Sequence, residues 1–357
     1  MTTTPDYWVS IIINNYNYAR FLPQAIDSAL AQTYPQVEII VVDDCSTDES
    51  REVIARYVAQ SQGRIIPVLH SENGKQAAAF NSGFAASQGE IIIFLDADDY
   101  LFPEAVERVV AAWQPGIAKV HYRLSVVDAV GEPLGFSYPQ GGKQLATGEV
   151  WRTLLQVATY PGVPTSGNAL SRRALSQVLP IAPDYKTTAD DYLSVLIPFY
   201  GDVVAIEEPL AAYRIHGNNQ WALSSLSSDR LHRFIQHDVM RCALLRQKAQ
   251  ELGHEAPADL DLRFFGRAWS RLASLKLDPE RHPVPTDRAL PLTAAGIRAL
   301  WRYSDFKLKR RVLLSLWFLW VGLLPLPLAK PAITWLLAPQ QRPRSWRWSS
   351  KTRSAVS

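Results

Sequence analysis

Few of the features that would place this chain at a glance are present. It has only two cysteines in 357 residues, Cys45 and Cys242, far apart, so no disulfide framework is expected. No GxGxxG follows its first apolar run and no GxxxxGK[S/T] occurs, since Gly74-Lys75 lacks both the upstream glycine and a following Ser or Thr. This argues against an ordinary dinucleotide fold and a P-loop NTPase. The opening residues, MTTTPDYW, have no basic stretch ahead of an apolar core, so no secretory leader is expected. Acid is scarce at one end. Residues 301–357 hold 11 Lys/Arg against one acid, Asp305, so a net charge of +3 conceals +10 there and −7 in the rest.

What is present begins with residues 90–100, EIIIFLDADDY. Five apolar residues, 91–95, suit a buried strand of a parallel sheet. They run into Asp96, Asp98 and Asp99, whose charges repel unless a cation sits among them. Ligands of open α/β sheets bind outside the carboxyl ends of the strands. Asp-x-Asp with oxygen ligands there suits Mg²⁺ or Mn²⁺ shared with substrate phosphates. A plain acidic turn after a strand would look the same.

Two further strand ends repeat the pattern. Residues 37–42, VEIIVV, run into Asp43 and Asp44, and Ser46 with Glu49 has capping-box spacing for a helix through about Gln60. A carboxylate at Asp44 suits hydrogen bonds from a base or ribose. Residues 8–13, WVSIII, lead into Asn14, Asn15, Tyr16 and Asn17, where Tyr16 could stack on a nucleobase; a helix over 21–33 follows. Strands over 65–69 and 91–95, with helices over 76–86 and from Pro103, complete an alternation that builds a parallel sheet covered by helices.

Taken in order, VSIIINNYNYARFL, IIVVDDCSTDES, a Gly-Lys turn with Asn81, and IIIFLDADDYLFP resemble glycosyltransferase family 2 over about residues 8–220. Asn14 replaces the family's usual proline and Cys45 its usual Gly or Asn. The resemblance implies the glycosyltransferase A fold, a Rossmann-like, mostly parallel sheet flanked by helices, with a helical C-terminal extension. It implies a hexosyltransferase-type enzyme with an inverting single displacement, a nucleotide-diphospho-sugar donor (a UDP-sugar expected), a hydroxyl acceptor and Mn²⁺ or Mg²⁺. Tyr16 would stack on the base and Asp44 hold it. Asn15, Lys75, Asn81 and Asp96 would line the donor site, and Asp98 would bind the metal, with Asp96 and Asp99 as alternatives.

The second half carries the acceptor side. Small residues in PTSGNALSRR, 164–173, leave room for a substrate. Asp190 and Asp191 open a helix; the family places its general base at such a helix start, and the spacing to Leu193 selects Asp190 over Asp191. Without that resemblance, both are ordinary helix-start acids favoured by the dipole. YRIH, 213–216, resembles the family's YRxH, which implies Arg214 at the diphosphate and His216 on the metal. A sugar nucleotidyltransferase, or an inactive nucleotide-sugar-binding membrane protein, is the alternative. The first would leave Asp190 and YRIH unexplained.

The chain divides into a catalytic part, 1–221, a helical part, 222–300, and a basic tail, 301–357, with six of the 11 tryptophans. Within the tail, residues 312–329 are 18 without charge, interrupted by Pro325 and Pro327. A spanning helix needs about 20. Cationic flanks on both sides favour the cytoplasmic face. The expectation is a peripheral or monotopic segment in the inner leaflet, in contact with anionic lipid and near a lipid-linked acceptor, rather than a nucleic-acid-binding tail. A helix buried against the protein is the competing reading. A chain ending near Tyr303 keeps every site residue and is expected to stay soluble.

Overall fold

A computed structural model describes residues 7–216 and 228–337, which fall in two compact units. Of the described residues, 7–150 and 161–216 make the first; 151–160 and 228–337 make the second.

The first unit opens as the apolar periodicity predicts: β1 (Val9–Asn15), α1 (Leu22–Leu30), β2 (Val37–Asp43), α2 (Ser50–Gln60), β3 (Ile65–Leu69), α3 (Lys75–Ala86) and β4 (Ile91–Asp96). Then come β5 (Tyr100–Leu101), α4 (Ala105–Ala111), β6 (Ile117–Val127) and β7 (Pro133–Tyr138). After α5 (Val150–Val157) follow β8 (Asn168–Ser171), α6 (Arg172–Leu175), α7 (Ala189–Leu196) and β9 (Asp202–Arg214). The sheet order is β3-β2-β1-β4-β8-β6-β9-β5, with β7 paired to β6. Strands β1 to β4 are parallel, because each returns through a helix. Strand β8 runs antiparallel to both β4 and β6, so the sheet is mixed.

Register places the chemistry. Asn14 pairs with Asp96 on one side, and Asn15 with Asp43 on the other, so the polar strand ends share one edge. The apolar residues behind them are buried on both faces, as a helix-covered sheet requires. Helix α3 approaches β1 closely at Gly83, where an added Cβ would lie 2.3 Å from Ile12 Cγ2. One local expectation is corrected. Ser46 and Glu49 do not cap α2, which starts four residues later at Ser50. Ser46 Oγ instead accepts from the Asn17 amide at 2.9 Å, and Asp48 Oδ1 accepts from Ser50 N at 3.0 Å.

The second unit is helical: α5, α8 (Ser228–Glu251), α9 (Phe265–Leu277), α10 (Ala289–Tyr303), α11 (Leu308–Leu323) and α12 (Leu326–Leu337). Its core joins Leu231, Ile235, Leu272 and Leu300 to Trp317, Phe318, Val321 and Ile333. The fold therefore draws no line at residue 301. Gly322 lets α11 close on α10, since a Cβ there would meet Thr293 Oγ1 at 1.9 Å. Ending the chain near Tyr303 would strip Trp317, Phe318 and Val321 from this core, which corrects the idea of a detachable tail. One face of α11 is core, as the buried-helix reading of 312–329 expects, and the other is exposed. Among the described residues, no helix is long and apolar enough to cross a membrane. Trp346 and Trp348 lie outside the described residues.

Buried polar groups tie α9 to the segment leading into α10. Arg271 forks onto Asp287 and reaches Asp261 at 2.6 Å. His282 bridges Ser274, 2.9 Å from Nδ1, and Asp287, 2.9 Å from Nε2. All three of Ser274, His282 and Asp287 are buried, so this Ser-His-Asp row is a structural lock, its carboxylate taken by an arginine.

Candidate active site

The first layer of the site is a pair of loops stitched together. Asn15 Nδ2 donates to Asp43 Oδ1 at 2.9 Å and to Ser46 Oγ at 3.2 Å. Asn17, at φ +58°, accepts from Thr47 N at 2.7 Å; asparagine tolerates that left-handed conformation. Asp43 is fully buried. Burial pushes its carboxyl up, but hydrogen bonds from Ser46, Arg51 and Asn15 hold it below the usual range. Asn15 thus acts on the loop rather than facing outward.

Asp44 is also spent locally. Its carboxylate accepts from Gly74 N at 2.9 Å, Lys75 N at 2.8 Å and His70 Nδ1 at 2.9 Å, at the N-terminus of α3. An anion there is favoured by the free N–H groups and the dipole. Asn81 makes a two-way clasp with the Ile181 backbone at 2.8 and 3.2 Å. Tyr16, by contrast, is 41% exposed, and Lys75 Nζ stands 5.7 Å from its ring centroid. Lys75 has φ +67°, a strained conformation costing on the order of 1–3 kcal/mol that such sites often carry.

The acidic turn after β4 separates three carboxylates by role. Asp99 is 2% exposed, accepting from Ser166 Oγ at 2.6 Å and from the Arg214 amide at 2.9 Å. It locks the turn to β9 and to the 164–168 segment. Asp98 is part-exposed, and its Oδ2 lies 3.0 Å from His216 Nε2. The His216 ring rests against Tyr18 and Phe21 at 5.5 and 5.1 Å. Asp96 faces Thr165. Its carboxyl is held well above the usual range by desolvation first, then by the charges of Asp98 and Asp190. Desolvation first, and then the charges of Asp98 and Asp96, also raise Asp99 and Tyr18.

Arg214, which the resemblance implies at the diphosphate, is engaged within the fold. Its side chain is buried, with Nε on the Asp98 carbonyl at 2.8 Å and NH2 on Gln24 at 2.5 Å. It clasps the acidic turn from behind. Arg172 is likewise spent on the Gly89 carbonyl and Ser87.

Asp190 and Asp191 stand in the first turn of α7, which Gln76 of α3 steadies by accepting from Ala189 N at 3.1 Å. Both carboxylates line a pocket of about 130 Å³ with Lys119, Thr165 and the stacked pair Phe80–Phe94, whose ring centroids are 4.1 Å apart. The Asp190 charge reaches Asp96. Lys119 was not singled out from sequence. The signal was present: Lys119 and His121 are two apart on β6, hence on one face of the strand. Ser166 and Thr165 were read as space for substrate and instead hold Asp99 and Asp96.

Mixed sheet, helical cover and carboxylates at the strand ends define a glycosyltransferase A fold. The Glycosyl transferase family 2 model matches residues 10–124. An uncharacterised glycosyltransferase of Nostoc sp. is 39% identical over 232 residues, covering 62% of this chain and 69% of that one. Glycosyltransferase GlyG of Streptococcus pneumoniae is 37% identical over 100 residues, only 28% of this chain and 33% of its own. Among solved structures, the mannosyltransferase PcManGT of Pyrobaculum calidifontis, in complex with GDP-Man and Mn²⁺, gives a TM-score of 0.52 at 19% identity, covering 92% and 83% of the two chains. TarS 1–349 of S. aureus, in complex with UDP-GlcNAc, gives 0.53 at 13% identity, covering 92% and 91%. The chain belongs to glycosyltransferase family 2.

Proposed function

We propose that this enzyme moves a sugar from a nucleotide-diphospho-sugar, expected to be a UDP-sugar, to a hydroxyl acceptor, with inversion at the anomeric carbon. The observation that carries the reading is the Asp190 charge reaching Asp96 in the acidic turn whose Asp98 pairs with His216 at 3.0 Å. Asp190 takes the acceptor proton as the acceptor oxygen attacks the anomeric carbon. The bond from that carbon to the diphosphate breaks, and the nucleoside diphosphate leaves with the electron pair. Tyr16 offers an exposed ring to the base.

Asp98 and His216 fit a divalent ion. They bring one oxygen and one nitrogen donor together at a part-exposed edge. Among the described residues no group of three or more His, Cys, Asp or Glu is arranged to hold a metal. A site completed by substrate phosphates and water suits that count, and the imidazole favours Mn²⁺ over Mg²⁺. The ion would supply positive charge opposite the leaving diphosphate. Asp99 and Arg214 hold the turn that presents Asp98.

An acceptor carried on lipid, as in cell-surface or extracellular polysaccharide and glycolipid synthesis, is the class that suits the basic, apolar tail. The test is a panel of nucleotide sugars with Mn²⁺ and candidate hydroxyl acceptors, scored by release of nucleoside diphosphate. Acceptor-dependent release supports the reading. Pyrophosphate from a nucleoside triphosphate and a sugar phosphate would replace it with nucleotidyl transfer.

A further inference from the structure

We infer that the outer face of α11 and the turn into α12 form a ridge that docks on an anionic lipid surface, with the chain lying on the bilayer rather than crossing it. This goes beyond the sugar chemistry and does not depend on it.

Helix α11 has two apolar faces. Leu314, Trp317, Phe318 and Val321 are buried in the core of the helical unit. On the opposite side Leu313, Leu316, Leu319, Trp320 and Leu323 are 40–59% exposed, and Leu328 continues the row at 56%. At 100° per residue those five span an arc of roughly 120°, the width of a complete docking face. A contiguous apolar row of this kind marks an interaction surface. Trp320 donates its indole N–H to the Leu328 carbonyl at 2.9 Å, which leaves its ring as apolar surface.

Charge selects the occupant. Lys307 and Lys309 are exposed at the start of α11, and Lys330 is exposed on α12, so cations border the ridge at both ends. The sequence after residue 337 adds five more Lys/Arg, two tryptophans and no acid. Cations flanking an apolar helix face, with tryptophan beside them, suit anionic headgroups over an acyl boundary. A second copy would bring the same cations face to face and be repelled. At 16 residues the helix is too short to span, which leaves an in-plane seat.

The test uses the full chain with vesicles of phosphatidylcholine alone, or mixed with phosphatidylglycerol. Co-sedimentation with the mixed vesicles is expected, only partly reversed by salt, because salt screens the lysines but not the leucines. Lys307→Gln, Lys309→Gln and Lys330→Gln should each weaken binding about fivefold. Leu316→Glu with Leu323→Glu should weaken it more than about tenfold while the circular dichroism and melting temperature stay unchanged. For the unaltered chain, lipids brominated on the acyl chains should quench tryptophan fluorescence. That arm stands even if the double variant fails to fold. Absence of quenching and sedimentation would overturn the proposal. So would a concentration-dependent dimer in ultracentrifugation that the double variant abolishes, since a second copy would then cover the ridge.

Discussion

Asp98 Oδ2 and His216 Nε2 meet at 3.0 Å across 118 positions of sequence. The contact exists because Asp99 accepts from the Arg214 amide while Arg214 Nε holds the Asp98 carbonyl, so strand β9 is stitched to the acidic turn two residues before His216. Asp98→Ala and His216→Ala should both abolish the Mn²⁺ dependence of nucleotide binding, measured by calorimetry with and without the ion. Full activity in excess chelator would refute a metal role for the pair.

The base assignment rests on the Asp190 charge reaching Asp96. Asp190→Asn should lower kcat by about 10²-fold or more, with donor affinity nearly unchanged. Should Asp191→Asn show that pattern instead, the roles of the neighbours are exchanged. Lys119 lines the same pocket as Asp190 and Asp191. Lys119→Met removes a positive charge that favours their ionised forms, so the acid limb of kcat/KM should move to higher pH. An unmoved limb would make Lys119 a packing residue.

The parallel half of the sheet was legible because its strands are unbroken apolar runs that end in carboxylates, and that pattern has few other uses. The antiparallel half was not. Strand β6 sets Lys119, His121, Arg123 and Ser125 on one face, as a half-solvated strand would, yet buries Lys119 and His121, and β8 is only four residues long. Spacing also located the site edge without telling which way each side chain donates or accepts. Asp44, Asn81 and Arg214 lie at that edge, yet backbone groups of adjoining loops take their hydrogen bonds. The capping box at Ser46 failed for the same reason: the loop after β1 competes for its hydroxyl and wins. Asp99 could not be told from Asp98 because burial, which separates them, is a tertiary property.

His121 gives a pH dependence with a definite sign. Burial first, and then the Lys119 charge, push its imidazole down to about 3, while Nε2 donates to the Ala146 carbonyl at 2.7 Å. Unfolded, it would titrate near 6.5, as histidine ordinarily does. The unfolded chain therefore binds the extra proton between pH 6.5 and 3, and stability falls as pH drops through that window, by on the order of a few kcal/mol at its lower end. His121→Gln should shift the acid-unfolding midpoint, followed by circular dichroism, to lower pH. No shift would mean that His121 is not held neutral in the fold.

The Arg271–Asp287 fork is the strongest stability test in the helical unit. Both side chains are nearly buried, and Asp287 also takes His282. Asp287→Ala would leave Arg271 with only Asp261, at 2.6 Å, and would orphan His282 Nε2. Breaking one partner of a buried pair costs about 3–5 kcal/mol, because the remaining charge stays desolvated. The loss should appear as a lower urea midpoint for the transition reported by the tryptophans of that unit. Removing both partners together, Arg271→Met with Asp287→Leu, should recover most of it, since no unpaired charge then remains. If the double variant is as unstable as the single, the fork fixes the α9–α10 geometry through directional hydrogen bonds that apolar packing does not replace.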